Sequence, residues 1–195
     1  MRSTTSWSML AVALVLTGCG GSSDGTGPGG GPGGGSAAFE AQVTGDVQSQ
    51  ISGAATFGSG TDGNGNTLHM IQLSETGSAP GGLIRFARTG AQGFGAGTYP
   101  IVDAANGAPA DGDVEVFLTD SDGNQLTAMF VGSGGSLKVT SSSGSRLAGS
   151  FTFQATGALF ANPGNTLAIT VTGTFAADQA LGAITVTSAE IHRTR

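Results

Sequence analysis

The chain has 195 residues, of which 10% are charged and 36 are glycine, and its formal net charge is −6. Nothing basic clusters: Lys138 stands alone and Arg85, Arg88, Arg146, Arg193 and Arg195 are scattered, so the electrostatic footprint that nucleic acid requires is missing. A single cysteine, Cys19, rules out a disulfide framework, and the folded part must stand on its core alone.

Residues 1–18 have the three parts of an export signal: Arg2 as the positive start, Met9 to Leu16 as an apolar stretch, and small residues before a cut. A membrane-spanning helix needs about 20 apolar residues, whereas this chain turns to Gly and Ser directly after Leu16 and Thr17. The segment therefore reads as removed rather than retained. The run Leu16-Thr17-Gly18-Cys19 resembles the lipobox of bacterial lipoproteins. That resemblance implies that Cys19 becomes the first mature residue and carries a diacylglycerol thioether and a fatty-acylated amine of the palmitate type. Gly20, not an aspartate, follows it, which in a Gram-negative cell implies the outer membrane, with the domain facing the periplasm or the surface. Several chains are needed for such an anchor, because one gives only marginal attachment and each buried methylene adds about 0.8 kcal/mol. Loss of the signal, with Arg2 its one charge, takes the net charge from −6 to −7. Anionic head groups should repel such a domain, leaving the acyl chains as its membrane contact.

Residues 19–36 form the lipidated cysteine and a tether in which everything from Gly27 onward is Gly, Pro or Ser. That composition cannot bury enough apolar surface to offset its ordering entropy. As a flexible coil it would span about 20–25 Å. No strand precedes it and no Gly-Lys-Ser/Thr closes it, so it is a linker and not a phosphate cradle.

Residues 37–195 read as one domain, long enough to bury about 70% of its unfolded surface. Its period is two. Strands are expected at Phe39–Val43, Val47–Phe57, Thr67–Leu73, Leu83–Arg88, Val114–Leu118, Leu126–Val131, Leu137–Thr140, Leu147–Gln154, Leu167–Phe175 and Ala183–Ile191. In the ninth of these, Leu167, Ile169, Val171, Gly173 and Phe175 alternate with Ala168, Thr170, Thr172 and Thr174, the pattern of an antiparallel strand with one face on a core and one in water. Asp62-Gly63-Asn64-Gly65, Asn106-Gly107 and Asp122-Gly123 supply hairpin turns, Ala104 to Gly112 a longer loop, and the only helical alternative is one turn near Asp178–Leu181. The fold class is all-β, an antiparallel sandwich or a partly closed barrel of about ten short strands.

Gly149-Ser150-Phe151 and Gly173-Thr174-Phe175 each set Gly and Phe two apart on an inward face, so a ring can lie over a glycine on the neighbouring strand. This Gly-x-Phe grammar, with the opening Phe39-Glu-Ala-Gln-Val43-Thr-Gly45, is similar to that of uncharacterised bacterial lipoproteins with a small β-domain of unknown function. The resemblance implies a fold and an address and carries no catalytic residues.

No Gly-x-Ser-x-Gly elbow accompanies the two histidines, His69 and His192, so nucleophilic catalysis has no constellation. His69 shares a strand face with Ile71 and Leu73 and reads as a satisfied strand residue; His192 lies in a polar tail. Asp111, Asp113 and Glu115, spaced by two, fall on one strand face or at its start. As an opposed acid and base they would suit a glycan or peptide hydrolase; as a solvated acidic face they do nothing chemical, and no neighbour separates their pKa values. Asp62 with Asn64, and Asp120 with Asp122, offer oxygen ligands for calcium, but neither run is an EF-hand and Asx-Gly turns account for both. No zinc or copper pattern and no cofactor motif occurs. The mature chain keeps Tyr99 as its only Tyr and no Trp, which disfavours a glycan module built on aromatic platforms; Phe94 and Phe160 are the phenylalanines placed at a surface. Outward Thr, Ser and Gln disfavour a lipid-facing barrel. The expectation is a non-enzymatic, lipid-anchored envelope domain that serves a structural role or binds an envelope protein or glycan through loops or a sheet edge.

Overall fold

The computed structural model describes residues 36–61, 65–76, 81–103, 110–122 and 125–180. The export signal, Cys19, the tether up to residue 35, Asp62, Asn64, the strand expected at Ala183–Ile191 and His192 lie outside the described residues. The described chain is all-β, with nine strands and no helix: β1 (Ala38–Gly45), β2 (Ser49–Thr61), β3 (Thr67–Glu75), β4 (Gly81–Thr89), β5 (Gly97–Ile101), β6 (Val114–Asp122), β7 (Gln125–Ser143), β8 (Arg146–Leu159) and β9 (Leu167–Gln179). Asp178 and Gln179, placed by one reading in a helical turn, extend β9.

With β5 set aside, each strand is antiparallel to the next along a meander, and the first and last strands meet. β1 pairs with β9 from Ala38↔Ala176 to Gly45↔Ile169, so the sheet closes into a ring in the order β1-β2-β3-β4-β6-β5-β7-β8-β9. Past the start of β1, β9 crosses to β2 and pairs with it in parallel at Thr56↔Asp178 and Phe57↔Gln179. Closure removes the free sheet edges that invite aggregation.

Alternation puts one apolar set inside this ring. Phe39, Val43, Ile71, Leu73, Ile84, Phe86, Val116, Phe130, Leu137, Phe151, Phe153, Val171 and Phe175 belong to a single buried cluster. The ring centroids of Phe86 and Phe151 are 5.2 Å apart, and Phe86 meets Phe153 edge-on at 6.0 Å. A ring of about eight strands has an interior just wide enough for side chains, and here they fill it.

β8 and β9 lock through the Gly-x-Phe motifs. Their register sets Gly149 opposite Phe175 and Phe151 opposite Gly173, so each ring lies beside the other strand's glycine. A Cβ on Gly173 would stand 2.5 Å from the tip of Phe151, and one on Gly149 would stand 3.0 Å from the ring of Phe175. The motif is packing grammar, as the residues suggested.

One strand was legible only as two. Val131-Gly-Ser-Gly-Gly-Ser136 looks like a turn between Leu126–Val131 and Leu137–Thr140, yet β7 runs unbroken through it for 19 residues. The register with β8 skips Ser133, a β-bulge. Before it Ala128 and Phe130 face inward at even positions; after it Leu137 and Val139 do so at odd ones. One extra residue flips the alternation and keeps both apolar sets in the core.

β5 had no sequence signal, because five residues that include Pro100 carry little periodicity. It fills the gap where β6 and β7 separate, pairing with β7 from Gly97↔Val139 to Ile101↔Gly135 and with β6 only at Ile101↔Val114. With that second edge nearly unpaired, the missing N–H of Pro100 costs no long ladder.

Candidate functional site

The three acidic residues fall at and before the start of β6. Only Glu115 is in β6, half-buried and opposite Ala87, while Asp111 and Asp113 lie in the turn before it. Gly112, at φ +93°, breaks the alternation between them. Asp113 Oδ2 accepts from the Ala110 N–H at 2.8 Å, and the Gly112 N–H donates to the Thr89 carbonyl at 3.0 Å, so the loop is stitched to itself and to the end of β4. The spacing of two points to one strand face or its start, and the residues lie at that start, where positive φ at Gly112 interrupts the alternation between Asp111 and Asp113.

Arg88 holds the same end of the ring. Its Nε donates to the Gly112 carbonyl at 2.9 Å, and Nη1 donates to the carbonyls of Gln92 and Gly93 at 2.8 and 2.9 Å. Its guanidinium carbon sits 5.1 Å from the centre of the Tyr99 ring. The Tyr99 hydroxyl accepts from the Gly95 N–H at 2.8 Å and donates to the Gly95 carbonyl at 2.9 Å. His69 Nε2 lies 3.1 Å from the Gly90 carbonyl, which occupies the imidazole with the scaffold. These bonds fold residues 90–96 over the opening, and Phe94, placed at a surface by its glycine-rich neighbours, is instead 8% exposed, joins the core cluster and packs edge-on against Tyr99 at 5.5 Å. Phe94 plugs this end. Phe94→Ala is expected to lower stability by about 3 kcal/mol, the usual cost of emptying a phenylalanine site, read as a fall in thermal midpoint without change of fold.

The calcium candidates that can be placed do not converge. Asp120 and Asp122 belong to β6, where Asp120 Oδ1 accepts from the Ser121 N–H at 2.9 Å. Among the described residues no three His, Cys, Asp or Glu side chains are grouped to hold a metal ion.

The outside of the ring has two contrasting regions. Across β2, β1, β9, β8 and β7 the register builds polar rows: Ser52-Glu40-Thr174-Ser150-Lys138, and Gln50-Gln42-Thr172-Thr152-Ser136. Between the two rows runs a shallow trough of about 410 Å³, reaching from Gln50 to Thr152 and underlain by Ala41, Gly173 and Phe151.

Across β4, β6, β7 and β8 the outward residues are apolar instead. Leu83, Thr119, Met129 and Ala158 form one row, and Arg85, Phe117, Val131 and Thr156 the next. At the β6–β7 hairpin end, Ala128 faces Leu159, and the Phe160 N–H donates to the Thr127 carbonyl at 2.8 Å. Leu126 (44% exposed), Met129 (39%), Leu159 (39%) and Phe160 (51%) are the large hydrophobic residues left exposed among the described residues, and all four lie at this end, with Met129 in the outward row and Leu159 opposite inward-facing Ala128. In the register Asp120 stands opposite inward-facing Ala128 and Asp122 opposite Gln125. Sequence reasoning placed Phe160 at a surface but missed the other three, because the four come from β7, β8 and the turn after β8.

Comparison with protein-family models, with curated proteins and with solved structures found no match to this chain. The site is therefore argued from its own geometry.

Proposed function

We propose that this is a lipid-anchored envelope protein whose β-domain docks a partner protein through the apolar patch at the β6–β7–β8 end, and that it is not an enzyme. The observation that carries the reading is that Leu126, Met129, Leu159 and Phe160, the large hydrophobic residues left exposed among the described residues, all lie at this one end. Scattered exposed hydrophobics are ordinary; a contiguous cluster of large ones marks an interaction surface. Half-buried Leu83, Phe117 and Val131 continue it along the sheet. The net negative charge of the chain disfavours an anionic bilayer as the occupant. Lipidation of Cys19 would keep the domain at the membrane, and the Gly/Pro tether would let it turn toward its partner.

The combined variant Met129→Glu/Phe160→Ser tests this. Both side chains are exposed, so stability should change by no more than about 0.5 kcal/mol each. Crosslinking in intact envelopes should give a discrete adduct with the wild type that the variant loses. Equal adducts from both proteins, or loss of vesicle binding by the variant instead of loss of the adduct, would sink the proposal.

A further inference from the structure

We propose that the trough across β8, β9, β1 and β2 is a second binding site, for an uncharged glycan chain lying across the strands. It is separate from the apolar patch and does not depend on a protein docking there.

The chemistry of the walls selects the ligand. Glu40, Thr174 and Ser150 line one side and Gln50, Thr172 and Thr152 the other. Gln42, which also lines the trough, donates to the Val43 and Ser49 carbonyls, but among the described residues none of the other six side chains is hydrogen-bonded within the protein, whereas Thr44, Thr140, Ser142 and Ser143 donate to backbone carbonyls. Donors and acceptors are thus presented outward in a rigid array. Successive strands are about 4.8 Å apart, which brings a new pair of polar side chains at roughly each sugar ring of an extended chain.

Other ligand classes fit less well. β8, β9 and β1 each have neighbours on both sides here, so their backbone groups are spent in ladders and no peptide can add as a strand. The trough has no cation to hold phosphate, sulfate or uronate, and its one charged group, Glu40, repels them. It has no exposed aromatic or large aliphatic side chain to grip a lipid. What remains is a neutral, hydroxyl-rich chain, bound weakly because no ring stacks on it.

The test uses the full mature protein in detergent, labelled for amide NMR, titrated with cellohexaose and chitohexaose and, as an anionic control, with polygalacturonate. At least one neutral oligosaccharide should give saturable shifts confined to Ser150–Thr152, Thr172–Thr174 and Glu40–Gln42. Thr152→Val/Thr172→Val keeps the strand shape and removes two hydroxyls, and should weaken that binding about tenfold. Absence of shifts with both oligosaccharides, shifts that map elsewhere, an equal response to polygalacturonate, or unchanged affinity in the double variant would each overturn the assignment.

Discussion

Gly173→Ala should cost at least about 3 kcal/mol, at or beyond the top of the usual range for overpacking a core. The added Cβ would meet the Glu40 carbonyl oxygen and the tip of Phe151, each at 2.5 Å, and the Ala41 Cβ at 3.0 Å. None of these can retreat freely, since Glu40 and Ala41 lie in the β1–β9 ladder and Phe151 is wedged against Phe86, Phe153 and Phe175. For a domain of this size the thermal midpoint should fall by roughly 6–12 °C. Gly144→Ala is the control, because nothing lies within 4 Å of the position its Cβ would take. A second comparison separates the two obstacles. Phe151→Leu shortens the side chain that meets position 173, so it should recover part of the Gly173→Ala loss. It should recover none of the loss from Gly149→Ala, where the added atom runs into the Lys138 carbonyl. Equal midpoints for Gly173→Ala and Gly144→Ala in calorimetry would refute the interlock.

Cys19→Ala should abolish the cleaved, acylated form altogether. With several acyl chains at about 0.8 kcal/mol per buried methylene, the wild-type protein should stay with membranes through high-salt and alkaline washes. Mass spectrometry should find Cys19 at its N-terminus with the acyl mass attached. The acidic domain has no basic patch to hold it at anionic head groups, so nothing else replaces the lipid. Cleaved Cys19→Ala protein that still sediments with membranes would show that the cysteine is not the anchor.

The two strands that carry the interlock were the easiest to read. Leu167 to Phe175 and Leu147 to Gln154 alternate cleanly because each has one face in the core and one in water, and such a strand writes its geometry into every second residue. β7 obscured the same rule at Ser133, where a bulge reverses the parity and looks like a turn. β5 carried no signal because its place is set by the gap between β6 and β7. Among candidate site residues, His69 could be read from its strand neighbours. The acidic trio was legible as a strand face or its start, and it lies at the start of β6, while the φ of Gly112 is nothing that spacing can see.

By itself the sequence determined the fold class, the alternation and the pairing of glycine with phenylalanine, and its resemblance at Cys19 supplies the address we propose. These are local properties, set by side-chain period, turn chemistry and a short processing motif. The tertiary structure alone decided that β1 meets β9, that Phe94 closes one end, and that Leu126, Met129, Leu159 and Phe160 are left exposed at one end while a polar trough opens over Gly173. The physical reason is that closing a sheet brings together residues more than a hundred positions apart, and strand register, which no single strand encodes, chooses which of them become neighbours.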